Sequence, residues 1–394
     1  MKILFILFTY IWVLNANITL SSSTYKKLTH IQKLSESKQY TKALNIINEL
    51  LKKELNKADK AYILQSQGFL FLSVENLKQA ILSFKKMNNL NIMNKKNYLN
   101  TTYNIAQLHL SLKEYKQAIK YLNIWIKKTT EKKPKAHILL AQSYIAIKQN
   151  KKAIKSIKQA IKLQSILKRK IPINWYELLF SNYYQLKDYK NSIKTLYSII
   201  YIEPKNKNYW LYLSQIYTIE NQVQKGLSIF EQTYNLKILE EKDILQFISF
   251  LLQNELYYKG AELLSSHLKN KTIQTNEKNL KLLFDAYFNA REYISSLSIL
   301  NKLINLTNKN KYILQKARLY VMLHQNKKAI MSYESIIKKK KSKEFPISNL
   351  ELSYLYHENN IIEKCISCLN EATKHRETKK IALAFLKQLR IVAK

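Results

Sequence analysis

The chain has 394 residues, 46% of them hydrophobic, and its 66 Lys and Arg against 27 Asp and Glu give a formal net charge of +39. With three glycines and four prolines it is neither a low-complexity nor a collagen-like chain, and a glycine-rich phosphate loop is excluded. Apolar alternation closed by Asn-Gly-type turns is absent, which excludes a sheet fold. The chain opens with MKILFILFTYIWVLNA: one Lys, the apolar run Ile3 to Leu14, then Asn15, Ala16 and Asn17. That run is too short for a relaxed membrane span and fits the apolar core of a secretory signal. Residues 1–22 are therefore expected to be a signal peptide, with an uncleaved N-terminal anchor as the alternative.

From Thr24 onward, pairs of helical patterns follow one another. The hairpins are expected at 24–53, 62–90, 98–126 and 136–163. A longer link, 164–173, carries Lys168, Arg169 and Lys170 and is the expected hinge between an N-terminal arm (23–163) and a C-terminal arm (174–374). In the fifth hairpin Leu179, Tyr183 and Leu186, then Tyr189, Ile193, Leu196 and Ile199, recur at helical spacing until Pro204 ends the unit. Further hairpins are expected at 209–236, 244–268, 280–303, 312–337 and 350–372. The stretch 375–394 holds a last amphipathic helix that would cap the final apolar face.

A small residue recurs in the second helix of every pair, at Ala43, Ala80, Ala118, Ala153, Ser192, Gly226, Ala261, Ser296, Ala329 and Cys365. Twelve residues upstream, in the first helix, stand Gly68, Ala106, Ala141, Ser214, Ser249, Ala317 and Ser353. Tyr144, Tyr183, Tyr217, Tyr287, Tyr320 and Tyr356 follow the first-helix position by three. Small residues at both anchors let two helix backbones approach closely, and the tyrosine fills the groove beside them. The period of 33 to 39 residues resembles the tetratricopeptide repeat (TPR). The expected fold is all-α: a TPR α-solenoid, a right-handed superhelix of about ten helix–turn–helix repeats with a C-terminal capping helix. Ile31, Phe180 and Phe284 replace the small first-helix residue, so repeats 1, 5 and 8 are expected to cross at wider angles.

No catalytic, cofactor or metal site is expected. His30, His109, His137, His267, His324, His357 and His375 are scattered, without metal-ligand spacing. Glu240, Glu241 and Asp243 read as a solvated helix start. Cys365 and Cys368 form a C-x-x-C, but Cys365 sits where alanine stands in other repeats and Cys368 faces the same seam, so packing accounts for both.

Binding remains. The first helices of such an array line its concave face, and the positions expected to be exposed there are Gln107, Gln142, Tyr184, Gln215, Asp285, Phe288, Arg318 and Tyr354. Amides, one charge of each sign and aromatics suit a peptide segment or a partner helix. The positive charge comes from lysine more than arginine, is spread along the chain and lacks interleaved exposed aromatics, which argues against a nucleic-acid surface. It reads better as the composition of an AT-rich genome. The densest basic runs, 127–135, 168–170 and 338–343, fall between repeats.

Several stretches match more than a generic repeat: STYKKLTHIQKLSESKQYTKALNIINELL, HILLAQSYIAIKQNKKAIKSIKQAI, the Asn174-Trp175 opening of the fifth repeat, the Tyr209-Trp210 opening of the sixth, Ala290 to Tyr293 in the eighth and the terminal HRETKKIALAFLKQL. In order from about Ser23 to Leu389, the chain resembles the exported TPR proteins that accompany TonB–ExbB–ExbD energy-transduction systems in proteobacteria. It departs in its turns, where Lys or Asn stands for glycine, and at Phe385, where a Trp is expected. The resemblance implies a periplasmic, non-enzymatic scaffold for protein partners, assisting TonB-dependent uptake of ferric siderophores or similar ligands and touching the membrane only through partners or an uncleaved N-terminus. A TPR scaffold for cell-envelope biogenesis is the alternative, and a basic RNA-binding solenoid a more distant one.

Overall fold

The computed structural model of the chain describes residues 20–392, so the expected signal run, Ile3 to Leu14, lies outside the described residues. Among these residues the chain forms 21 α-helices and no strand. They fall into two compact units that divide after Pro204.

The first unit is a row of five helical hairpins: α1 (Ser22–Glu36) with α2 (Tyr40–Leu51), α3 (Lys57–Ser73) with α4 (Leu77–Asn88), α5 (Lys95–Ser111) with α6 (Tyr115–Lys128), α7 (Pro134–Ala146) with α8 (Asn150–Ile166), and α9 (Ile173–Gln185) with α10 (Tyr189–Ile202). The second unit repeats the plan with α11 (Lys207–Ile219) and α12 (Val223–Asn235), α13 (Glu241–Gln253) and α14 (Tyr257–Lys269), α15 (Glu277–Asn289) and α16 (Tyr293–Thr307), α17 (Asn310–Met322) and α18 (Asn326–Ile337), and α19 (Phe345–Glu358) and α20 (Ile362–Thr373). It ends with α21 (Arg376–Val392). Each unit is an all-α solenoid of helix–turn–helix repeats.

The cores show why no hairpin stands alone. Leu28 and Ile31 of α1, Ala43 and Ile47 of α2, and Ile63 of α3 share one buried cluster. Ala61 of α3, Phe84 of α4 and Ile105 of α5 share the next. Each of these hairpins thus lends apolar surface to the first helix of its successor. Full burial of one such Ile or Leu contributes about 1.5–3 kcal/mol. All ten second-helix small residues are buried, and Ala43, Ala80, Ala118, Ala153, Ser192, Ser296, Ala329 and Cys365 have no exposed surface.

Asparagine supplies many of the helix starts. The Asn56 side chain accepts from the N–H of Asp59, Asn94 from Asn97 and Asn276 from Asn279, at 2.8, 2.8 and 2.9 Å, and such a cap stabilises by about 1 kcal/mol. Within every hairpin the turn passes through one left-handed residue: Lys38, Glu75, Lys113, Lys148, Lys187, Asn221, Glu255, Arg291, His324 and Asn360, with φ between 55° and 62°. The next N–H reaches back to a first-helix carbonyl five residues earlier, as from Asp188 to Tyr183 at 2.9 Å and from Ile361 to Tyr356 at 2.8 Å. This is the Schellman arrangement normally given to glycine. The tyrosine that fills the inter-helix groove therefore also ends its own helix.

The structure differs from the sequence expectations in three places. Helices α3 and α19 begin at Lys57 and Phe345, five residues before Tyr62 and Leu350, because the Asn56 cap and Pro346 in the first turn carry the start beyond the apolar period. Helix α8 runs to Ile166, leaving only 167–172 as the link; Ala160 of α8 shares a core with Trp175 and Leu179 of α9, and the Gln164 amide donates to the carbonyl of Lys170 at 3.0 Å. The two compact units divide one hairpin later, after Pro204.

The seventh repeat is also shifted by one residue. Its left-handed turn residue is Glu255, which aligns Gly260, not Ala261, with the other second-helix anchors, and Ile248, not Ser249, with the first-helix anchors. Ile248 is fully buried, whereas Ser249 is half-buried and turns its hydroxyl back to the carbonyl of Leu245, 2.8 Å away. Three residues before the anchor, where Tyr40, Tyr115, Tyr189 and Tyr293 stand in other repeats, the seventh accordingly has Tyr257; Tyr258 is exposed.

Candidate partner-binding face

The face is built by alternation around each buried first-helix anchor. Ala141, Ser214, Ala317 and Ser353 are buried, and the next residue in each case, Gln142, Gln215, Arg318 or Tyr354, is exposed. Gln107 and Asp285 occupy the same position and are half-buried. In the first unit this places Gln107 and Gln142 on α5 and α7. In the second it places Gln215, Asp285, Arg318 and Tyr354 on α11, α15, α17 and α19.

Three of these side chains already have partners. Arg318 grips Glu351 of the next first helix, with Nε 3.0 Å from both carboxylate oxygens and Nη2 2.6 Å from Oε1. Glu351 also accepts the buried Tyr333 hydroxyl at 2.9 Å, and burial together with that carboxylate pushes the Tyr333 phenol far above its ordinary value. Asp285 pairs with Lys281 one turn back at 2.6 Å. Tyr354 stacks on Phe385 of α21, ring centroids 4.8 Å apart and 18° between planes. The terminal helix thus covers one edge of the face with Phe385.

Tyr184 and Phe288 belong to packing. Tyr184 lies between Phe180 and Tyr189, at 5.9 and 6.0 Å, and Phe288 between Phe284 and Tyr293, at 5.7 and 5.8 Å. In both repeats a phenylalanine holds the small-residue position, and the extra volume is taken up by an aromatic trio spanning both helices. Both side chains are half-buried.

A further pattern concerns the lysines. Lys152, Lys225, Lys328 and Lys364 each precede a second-helix anchor by one residue and lie over the rings of Tyr144, Tyr217, Tyr320 and Tyr356, at 5.5 to 5.7 Å. Part of the positive charge is therefore spent on tyrosine faces, and those faces are not free to stack a base.

The remaining sequence candidates resolve into structural roles. Glu240 and Asp243 form a capping box at the start of α13, and Lys207 bridges them at 2.8 and 2.6 Å. Asp243 is buried rather than solvated; burial raises its carboxyl, but the Lys207 and Glu240 hydrogen bonds outweigh this and hold it below the usual range. Cys365 and Cys368 are buried free thiols, both pushed up by burial, Cys368 to about 11, which is the reverse of an activated thiolate. The buried His109 donates from Nδ1 to Glu114, since an ionised carboxylate can only accept, and stacks on Tyr121 at 5.4 Å. Among the described residues no group of three or more His, Cys, Asp or Glu is placed to hold a metal ion, and no helix is long and apolar enough to cross a membrane.

Sequence reasoning missed one exposed aromatic site. An open cavity of about 550 Å³ beside α9 and α10 is lined by Tyr176, Tyr197, Tyr201, Lys170, Ile171 and Ile202, and Tyr201 is 89% exposed. Tyr197 and Tyr201 stand four apart on α10, so their shared face was visible in the sequence.

Residues 73–160, from the end of α3 to α8, match the family model described as anaphase-promoting complex, cyclosome, subunit 3. No curated protein matches the chain. Among solved structures the chain is similar to MamA (residue 41 to the end) from Desulfovibrio magneticus RS-1, with 17% identity over 48% of this chain and 99% of that one and a TM-score of 0.36. It is similar to a tetratricopeptide repeat protein from Parabacteroides merdae ATCC 43184, with 13% identity over 67% and 98% of the two chains and a TM-score of 0.38. A third is YrrB, a TPR protein with an unusual peptide-binding site, with 12% identity over 49% and 97% and a TM-score of 0.35. The fold assignment rests on the hairpins themselves.

Proposed function

We propose that the chain is a non-enzymatic TPR scaffold that binds protein partners through the first-helix faces of its two units, is exported to the periplasm, and works beside a TonB–ExbB–ExbD-type complex in TonB-dependent uptake. One observation carries the binding part. Gln142 and Gln215 are exposed directly beside fully packed anchors, so their amides stand on rigid helices where a peptide backbone or a partner helix can reach them. The exposed Tyr212 on α11 adds an aromatic contact of the kind that dominates binding hot spots. Export rests on residues 1–22, and the identity of the partner on the resemblance quoted above.

The test is affinity capture with crosslinking from envelope fractions, using tagged chain and the double variant Gln142→Arg with Gln215→Arg. The reading expects a TonB, ExbB or ExbD homologue that is captured by the parent and lost from the variant while helicity is unchanged. Deletion of the gene should impair TonB-dependent uptake. Intact uptake together with no such capture sinks the TonB part. Capture of envelope-assembly proteins transfers the scaffold to that machinery, and a cytosolic chain retaining residues 1–22 overturns export.

A further inference from the structure

The lysine run at 338–343 joins α18 to α19 and folds against the link between α16 and α17. Between the two links lies an open cavity of about 540 Å³ lined by four lysines, Lys309, Lys311, Lys339 and Lys343, together with Asn308, Asn310, Ser342 and Glu344. Glu277, outside the lining, takes Lys309 at 2.6 Å, Lys311 at 2.9 Å and the Tyr312 hydroxyl at 2.7 Å; these contacts hold its carboxyl down to about 2. Glu344, the other carboxylate, accepts from the Ser342 hydroxyl at 2.7 Å. Lys339 reaches the amide oxygen of Asn310 at 3.3 Å. Four lysines thus stand against one carboxylate of the lining, Glu344, and the neighbouring Glu277, and the excess is positive.

The chemistry of the lining narrows the ligand. Every lining residue is Asn, Lys, Ser or Glu. Without an apolar or aromatic side chain the cavity offers nothing to an acyl chain, a base or the side chains of a peptide anchor. Lysine is a compact point charge with rotatable donors, suited to phosphate and indifferent to the planar geometry of a carboxylate. The space exceeds that of a single phosphate, and amide and hydroxyl groups interleave with the ammonium groups, so a ligand with several phosphates uses the lining best.

We propose that this cavity binds a multiply phosphorylated ligand, either a soluble polyphosphate or the phosphorylated headgroup of a lipid. It lies on the links between repeats rather than on the first-helix face, so it goes beyond the scaffold reading and stands or falls apart from it.

The experiment titrates the full chain with tripolyphosphate in a calorimeter at about 0.1 M salt, where long-range charge effects are largely screened. Saturable binding is expected, weakened by about 10-fold or more in Lys339→Glu with Lys343→Glu, since each reversal turns an attraction to the bound phosphates into a repulsion. These two lysines are exposed and make no ion pair with Glu277, so the fold is expected to survive, as circular dichroism would confirm. The control Lys132→Glu with Lys135→Glu, in the run at 127–135, should leave the affinity nearly unchanged. Cosedimentation with cardiolipin vesicles, whose headgroup carries two phosphates, that the cavity variant abolishes assigns the headgroup source; tripolyphosphate binding without cosedimentation assigns a soluble ligand. Absence of saturable binding to either probe, equal losses in both variants, or deca-glutamate binding as tightly through the same lysines overturns the proposal.

Discussion

Arg318 and Glu351, 33 residues apart, form a two-pronged ion pair that ties α17 to α19, with the Arg318 Nη2 2.6 Å from Glu351 Oε1. Arg318 is half-exposed and Glu351 three-quarters buried, so the two ends of the pair differ in consequence. Arg318→Ala removes a partly solvated charge and should cost about 0.5–1 kcal/mol. Glu351→Ala also strands the hydroxyl of Tyr333, which is 2% exposed, and should cost a further 1–3 kcal/mol or so. Urea unfolding followed by circular dichroism reads both. Equal losses would mean that the Tyr333 bond contributes nothing. Any ligand carboxylate that sought Arg318 would have to compete with Glu351, which makes Arg318 a weaker docking point than Gln142 or Gln215.

Gly68 stands where most first helices carry alanine or serine, and a Cβ there would drive into the ring of Phe84 on the partner helix. Phe84 is 2% exposed and edge-stacked on Phe69 at 5.4 Å, so the ring has little room to yield. Gly68→Ala is expected to destabilise the first unit by about 1–3 kcal/mol through overpacking. Phe84→Leu should restore most of that loss in the Gly68→Ala background while being destabilising alone. Denaturant midpoints of the four proteins decide it, and simple additivity would rule out the clash.

How far the fold could be read depended on volume and period. The second-helix anchors were legible because a small residue at a close helix crossing is a steric requirement that composition drift cannot erase; even Cys365 obeys it. The seventh repeat slipped by one because Tyr257-Tyr258 and Gly260-Ala261 offer two registers of the same chemistry, and only the position of the turn separates them. The lysine–tyrosine pairs follow an eight-residue spacing across the turn, as from Tyr144 to Lys152, and could have been found by asking where the lysines fall relative to the tyrosines. Arg318 could not have been assigned: its partner lies one repeat away, and the sequence holds no rule for how far successive first helices rotate. Tyr184 and Phe288 are half-buried rather than exposed for a related reason, since their neighbours Tyr189 and Tyr293 approach only once the hairpin closes around a phenylalanine.

Acidification should weaken the fold in two stages. Burial, working against the Glu114 hydrogen bond, lowers the His109 pKa, and burial also lowers those of His137 and His267. A base whose folded value is depressed binds its proton more tightly when unfolded. Its contribution is therefore complete above the unfolded value of about 6.5 and is lost as pH falls below it. Asp59 is held low by hydrogen bonds from Ser21 and Thr24 that outweigh the opposing effect of burial, and Glu277 is held at about 2. Their contribution is lost only below about 4.5. The Nε2 of His109 is buried without a partner, so protonation there strands a donor near Lys85, which already sits over the Tyr121 ring. His109→Phe keeps the stack on Tyr121 and should flatten part of the loss in melting temperature between pH 7.5 and pH 5.5. An unchanged slope would exclude His109 as a contributor.

The left-handed turn residues give the most general expectation. A residue with a side chain in that conformation is strained by about 1–2 kcal/mol relative to glycine, whose greater unfolded-state freedom takes back about 0.5–1 kcal/mol. Lys113, Lys148 and Lys187, at φ of 59°, 58° and 56°, are exposed, so replacement disturbs no packing. Each Lys→Gly change should stabilise the first unit by a few tenths to about 1 kcal/mol, and the triple variant should raise the melting temperature. Asn221→Gly should gain less, because asparagine tolerates this region better than lysine. Differential scanning calorimetry on the three single variants, the triple and Asn221→Gly orders them. A fall in melting temperature for the triple variant would show that the lysine side chains contribute more at the turns than their backbone strain removes.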